Sequence, residues 1–143
     1  MALALSEANA AVAHGDVPVG AVILDENDRV IARAHNTREV DCDITGHAEI
    51  RAMQEASRKR GEWRLEGCTL IVTLEPCAMC AGALVQARVD RLVFGAFDDK
   101  AGAVTSLWDV VRDPRLNHNP QVVSGIMADE CAKVLQDFFD RLR

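Results

Sequence analysis

Apolar residues in this chain change their spacing several times, and each change marks the start of a new element. Leu5, Ala8 and Val12 recur at helical intervals in an Ala- and Leu-rich segment, so residues 2–13 are expected to form a helix that stops near Gly15. The next segment, 17–24, is apolar and β-branched, turns over at Asp25-Glu-Asn-Asp28 and resumes over 30–34, the pattern of an antiparallel hairpin. Pro18 then belongs near the start of its strand, where a missing N–H costs little. Helical spacing returns at Ile50, Met53 and Ala56, with Thr45 as the expected N-cap and Gly61 as the stop. An apolar run at 69–74, a helical stretch at 77–88 and a second run at 91–95 predict a strand, helix and strand joined by a right-handed parallel crossover. Residues 122–126 read as a last strand and 128–142 as a last helix, whose apolar face carries Cys131, Val134, Leu135, Phe138 and Phe139. The Pro- and Asn-rich stretch before them, 113–120, reads as a surface loop. The fold class that follows is α/β: a mixed five-stranded sheet with helices on both faces, in one domain over residues 1–143. Such sheets take ligands in a crevice beyond their strand ends.

Composition narrows the class. With 143 residues, 49% hydrophobic and 27% charged, the chain can bury one core. No apolar run approaches the roughly eighteen residues of a membrane span, and the opening Met1-Ala-Leu-Ala-Leu-Ser-Glu lacks a basic, then apolar leader, so a soluble cytoplasmic protein is expected. Of five cysteines, only Cys77 and Cys80 stand at metal-clip spacing, which argues for reduced thiols; Cys42, Cys68 and Cys131 are expected to be small buried hydrophobes. The net charge of -6 excludes a protein that coats nucleic acid through its overall field. Any such contact must be local. Arg58-Lys59-Arg60, Arg112, Arg115, Arg141 and Arg143 supply clusters for it, each of which also reads as solvated surface charge.

The chemistry concentrates in two segments, His47-Ala48-Glu49 and Pro76-Cys77-Ala78-Met79-Cys80. Cys77 and Cys80 lie three residues apart at a helix start, so both sulfurs share one face, and the helix N-terminus favours thiolate over thiol. Pro76 sets the turn and has no N–H to leave unpaired. A lone Cys-x-x-Cys would serve a redox centre or a structural zinc equally well. Adding His47 gives an imidazole and two thiolates, three zinc ligands that leave the fourth tetrahedral position for water, and that is a catalytic arrangement. Glu49 would then be the proton shuttle beside it, and His-x-Glu with Pro-Cys-x-x-Cys is the established signature of zinc deaminases. His14, His35 and His118 have no ligand partner at a useful spacing and are expected to be surface or hydrogen-bonded core residues; Asn117 and Arg115 make His118 the one to watch.

Asp16-Val-Pro-Val-Gly-Ala-Val, Gly46-His-Ala-Glu-Ile, Thr73-Leu-Glu-Pro-Cys-Ala-Met-Cys-Ala-Gly-Ala, Phe94-Gly-Ala, Ser106-Leu-Trp-Asp-Val, Leu116-Asn-His and Ala128-Asp-Glu-Cys follow one another along nearly the whole chain. In this order they resemble the bacterial tRNA-specific adenosine deaminases. The resemblance implies a three-layer α/β/α, cytidine-deaminase-like fold and hydrolysis of adenosine to inosine at the wobble position of a tRNA anticodon stem-loop, in a homodimer with one Zn2+ per subunit. Carried over by position, it makes His47, Cys77 and Cys80 the zinc ligands, Glu49 the proton donor and acceptor, and Asn36 and the Ala48 backbone the groups that hold the base. An anticodon loop already presents unpaired bases, which reconciles an acidic protein with an RNA substrate. Lys100, Arg112, Arg141 and Arg143 are the candidates to hold its phosphates. Ile44, Gly46, Phe97, Asp140 and Leu142 depart from the pattern of the family. Two other readings use the same signature: a deaminase of a free base or nucleoside such as guanine or cytosine, and a zinc-stabilised binding module without activity. For a dimer interface, Leu84, Val85 and Leu107-Trp108 are candidates, with core packing as the alternative for each.

Overall fold

A computed structural model describes all of residues 1–143. Its elements run α1 (Ala2–Val12), β1 (Gly20–Leu24), β2 (Val30–His35), α2 (Ala48–Arg60), β3 (Thr69–Leu74), α3 (Ala78–Gln86), β4 (Arg91–Ala96), β5 (Gln121–Val123) and α4 (Ala128–Arg141). The strands form a single mixed sheet in the order β2-β1-β3-β4-β5. β1 pairs antiparallel with β2 and with β3, whereas β3, β4 and β5 run parallel. The parallel pair flanking α3 is the crossover that the alternating strand and helix spacing predicts.

The helices divide between the two faces. α1 packs on β1 and touches α4, while α2 lies on β2 and β1 and touches α3. The central strands are therefore covered on both sides, which is why their sequences are nearly continuous apolar runs and do not alternate. Leu70, Val72, Leu92 and Phe94 are wholly buried, as is Leu84 from α3. Gly20 is required where α1 crosses β1, since a Cβ there would collide with the Ala4 carbonyl. On the same face of the sheet Cys131 of α4 is buried against β4.

Three boundaries differ from the sequence expectation. β1 begins at Gly20, three residues after Val17, because the Asp16–Val19 stretch leaves the sheet edge to line a cleft. β5 stops at Val123, since the backbone turns left-handed at Gly125 (φ 79) and Met127 (φ 54) to launch α4. Thr45 does not cap α2: its hydroxyl donates to Asp43 Oδ1 at 2.8 Å, and the capping position is taken by His47. Gly61 ends α2 in the left-handed conformation (φ 73), as its position predicts. Leu84 and Val85 belong to the core cluster, so neither is available to an interface, whereas Leu107 and Trp108 are 48% and 60% exposed.

Candidate active site

Two helix starts meet at one point. His47 and Cys77 occupy the N-cap positions of α2 and α3, both with extended backbones, and neither makes a side-chain capping bond. Imidazole and thiol are consequently free to turn toward each other, and Cys80 joins them from the first turn of α3. His47 Nδ1 lies 3.6 Å from Cys77 Sγ and 3.4 Å from Cys80 Sγ. All three ligand atoms fall within 4.8 Å of one another. A tetrahedral zinc with bonds of about 2.3 Å to sulfur and about 2.0 Å to nitrogen sets such N···S separations at about 3.5 Å. The donor set fits that ion in kind and in spacing.

The same three groups govern one another's protons. Cys77 is drawn down to about 4, chiefly because the Cys80 thiol donates a hydrogen bond to it, against the opposing effect of burial and with His47 assisting. Cys80 is pushed far upward by that same bond and by burial. His47 is raised, first by its hydrogen bond to Cys77. A dication that accepts sulfur and nitrogen donors would take the place of those protons. Beside them Glu49 is only 4% exposed. Burial lifts its carboxyl to about 7, the range in which one group can both take and release a proton.

Asn36, at the end of β2, supplies what Thr45 does not. Its Oδ1 accepts the Ala48 N–H at 2.9 Å, so the side chain caps α2 from outside the helix. With the oxygen committed, its amide NH2 is the group left to face the cleft. Asn36 and Ala48 are thus joined by one hydrogen bond.

The cleft has a volume of about 190 Å³ and its lining includes His47, Glu49, Cys77 and Asn36. Two buried carboxylates hold its walls. Asp16, 1% exposed, accepts the Glu39 N–H at 2.7 Å and the Val40 N–H at 3.2 Å, and His14 Nδ1 lies 2.9 Å away. Glu75, also 1% exposed, accepts the backbone N–H groups of Asp98, Val104, Thr105 and Ser106 together with the Ser106 hydroxyl. Gly102 passes so close to this carboxylate that a Cβ would strike it. Spacing along the chain did not single out either residue. Glu75 directly precedes Pro76 and Asp16 stands two residues before Pro18, each next to an apolar stretch, and an acidic residue at such a place was the available signal. Arg38, the one cation lining the cleft, was likewise missed.

The four basic residues expected to hold phosphates do not gather. Lys100 and Arg143 line one groove with Phe139 and Leu142. Arg141 faces Asn9 and Val12 of α1 instead. Arg112 donates to the Val104 carbonyl at 2.7 Å and meets Asp109 at 3.0 Å. His118 Nε2 donates to the Val89 carbonyl at 2.6 Å, and His35 pairs with Glu7 at 2.9 Å, so these histidines hold loops and α1 in place. All five cysteines are free; Cys68 and Cys131 are buried as expected, but Cys42 is exposed in a turn where its φ of 52 points the side chain to solvent.

A mixed sheet between two helical layers, with an imidazole, two thiols and a buried carboxyl at one cleft, defines a deaminase of cytidine-deaminase-like fold. The chain matches the MafB19-like deaminase family over residues 1–143. Within that class it belongs to the tRNA-specific adenosine deaminases: it is 49% identical to the tRNA-specific adenosine deaminase of Bacillus subtilis over 98% of this chain and 86% of the relative. A solved structure from a study of A-to-I editing by tRNA:A34 deaminases at the wobble position superposes with a TM-score of 0.90 at 45% identity, covering 94% of this chain and 97% of the other. The guanine deaminase of Nitrosomonas europaea is also similar, with a TM-score of 0.78 at 26% identity over 96% of this chain and 81% of that one. No helix is long and apolar enough to cross a membrane.

Proposed function

We propose that this protein hydrolyses adenosine to inosine at the wobble position of a tRNA anticodon loop, with His47, Cys77 and Cys80 holding one zinc per subunit. The observation that carries the reading is the convergence of these three donors and Glu49 on one cleft, in a chain that shares nearly half its residues with a tRNA-specific adenosine deaminase. When bound, zinc supplies Lewis-acid activation of water at neutral pH. Glu49 takes one proton from the attacking water and delivers it to N1 of the adenine ring, then carries the proton left on the new C6 hydroxyl to the departing amine. The C6–N bond breaks, a C6–O bond forms, and ammonia leaves. Asn36, its oxygen anchored on Ala48, turns its NH2 toward a ring acceptor of the base. The buried carboxylates Asp16 and Glu75 keep the cleft walls in place around it.

The rival substrate is free guanine or cytosine, which the guanine deaminase relative brings to mind at lower identity. Ammonia release from a synthetic anticodon stem-loop separates the two: turnover is expected on the stem-loop and not on the free bases, and the opposite result ends the tRNA reading. A binding module without activity would leave Glu49 with no turnover to lose. A homodimer is supported by the exposed Trp63, Leu107 and Trp108. Light scattering should give twice the chain mass, with Trp108→Asp weakening the association. A tRNA substrate also supports a cytoplasmic location.

A further inference from the structure

The turn that ends α1 reaches the cleft wall. Asp16 N–H returns to the Ala11 carbonyl at 3.1 Å across Gly15, whose left-handed backbone (φ 82) doubles the chain back and brings His14 and Asp16 side by side. His14 Nδ1 is 2.9 Å from Asp16 Oδ2, and since a carboxylate only accepts, the ring donates. The same oxygen takes the Val40 N–H at 3.2 Å, while Oδ1 takes the Glu39 N–H at 2.7 Å. Of the two bonds on Oδ2, the one from His14 is the shorter. It fixes the plane of the carboxylate, and with it the aim of both oxygens at the wall amides.

A second histidine backs the first. His35, the last residue of β2, has its ring centroid 5.2 Å from that of His14 at a tilt of 33°, and its Nδ1 donates to Glu7 Oε2 at 2.9 Å. Arg33 Nε lies 3.6 Å from the other oxygen of Glu7, and Arg51 of α2 donates to the His35 carbonyl at 3.2 Å. A continuous line therefore runs from α1 through Glu7, His35, His14 and Asp16 to the Glu39 and Val40 amides. Immediately before Glu39 stands Arg38, the cation on the cleft lining. Asn36, at the start of this segment, has its own anchors: its N–H is bonded to the Val19 carbonyl at 3.1 Å and its Oδ1 to Ala48. Arg38 lacks such anchors. Its side chain is half exposed and its ion pair with Glu39, at 3.3 Å, is too open to fix it. On the reading given under Proposed function, we propose that His14, backed by His35, is a positioning residue for the reaction, acting through Asp16 to set the wall that carries Arg38 against the RNA substrate.

The test compares ammonia release from an anticodon stem-loop by wild-type protein, His14→Phe and His14→Asn, each loaded with equal zinc. Phenylalanine keeps a ring against His35 but has no donor; asparagine gives up the ring and places an amide N–H near the position of Nδ1. His14→Phe should raise KM about fivefold with kcat within about twofold, the pattern of lost uniform binding, and should speed hydrogen exchange at the Glu39 and Val40 amides about tenfold. His14→Asn should return both to within about twofold of wild type. His35→Ala should raise KM about threefold alone and add nothing to His14→Phe, because the two rings act in one line. Should His14→Phe not fold, His14→Ala takes its place at this part-exposed position. An unchanged KM with faster exchange or a lower urea midpoint makes the pair a structural support and overturns its part in the reaction, leaving the tRNA reading intact. A KM raised equally by phenylalanine and asparagine overturns the hydrogen bond to Asp16 as the means. If wild-type protein releases no ammonia from the stem-loop, the tRNA reading and the positioning role fall together.

Discussion

The end of the cleft where His47, Cys77 and Cys80 cluster and its two loop walls are built by different means. At the metal end, His47, Cys77 and Cys80 hang from two helix starts, so their positions follow from regular backbone and short spacing. At the walls, the segments 36–46 and 98–106 form no helix or strand; apart from turn bonds and one bridge between Gly102 and Cys77, each is anchored by a buried carboxylate, Asp16 on one side and Glu75 on the other. The difference teaches where function and stability are concentrated. Changes at the metal end should remove chemistry and leave the fold standing. Changes at the carboxylates should release a wall and cost stability first, because several backbone N–H groups lose their acceptor together.

The sharpest way to separate the two regions is Glu49→Ala. Turnover should fall by about 10²- to 10⁴-fold, the usual worth of a proton shuttle, with zinc content by elemental analysis unchanged. Loss of metal along with activity would move Glu49 into the structural set.

Glu75→Ala should act in the reverse sense, lowering unfolding free energy by about 3 kcal/mol in urea denaturation, since four backbone N–H groups and a hydroxyl are left without their acceptor. A change below about 0.5 kcal/mol would mean the 98–106 wall stands without its anchor. Asp16→Ala, with fewer partners, should cost about 2 kcal/mol by the same measure.

Acid provides a milder test of the same contrast. In both carboxylates burial pushes the pKa up but is outweighed by accepted hydrogen bonds, from Glu39 and Val40 at Asp16 and from Ser106 and Thr105 at Glu75, so each is held below its ordinary value. A group depressed in the folded state contributes its full stabilisation above the unfolded pKa and loses it as pH falls through the folded one. The share of stability that these two carboxylates supply should therefore be constant above about pH 5 and decline below about pH 4, and Glu75→Gln should flatten that decline. A decline equally steep in the variant would place its origin elsewhere. At the small end, Arg115→Ala removes an exposed pair with Asp113 and should leave the urea midpoint unchanged.

Much of this molecule was readable one residue at a time. Helical and strand spacing located all nine elements, and the left-handed stop at Gly61 and the Cys-x-x-Cys clip lie where local chemistry puts them, because each depends on neighbours within a turn. The residues of the His47, Cys77 and Cys80 cluster were legible for the same reason: imidazole and thiol at helix starts leave their mark within a few positions. What stayed hidden was every arrangement made across the chain. Asn36 replacing Thr45 as the cap of α2, Glu75 gathering a loop some thirty residues ahead, Arg141 turned to α1 while Arg143 turned to Lys100, and Leu84 sealed in the core are outcomes of packing. A hydrogen-bond acceptor or an apolar side chain carries no record of which distant partner will reach it first; only the folded sheet, by setting which loops meet at its edge, settles that competition.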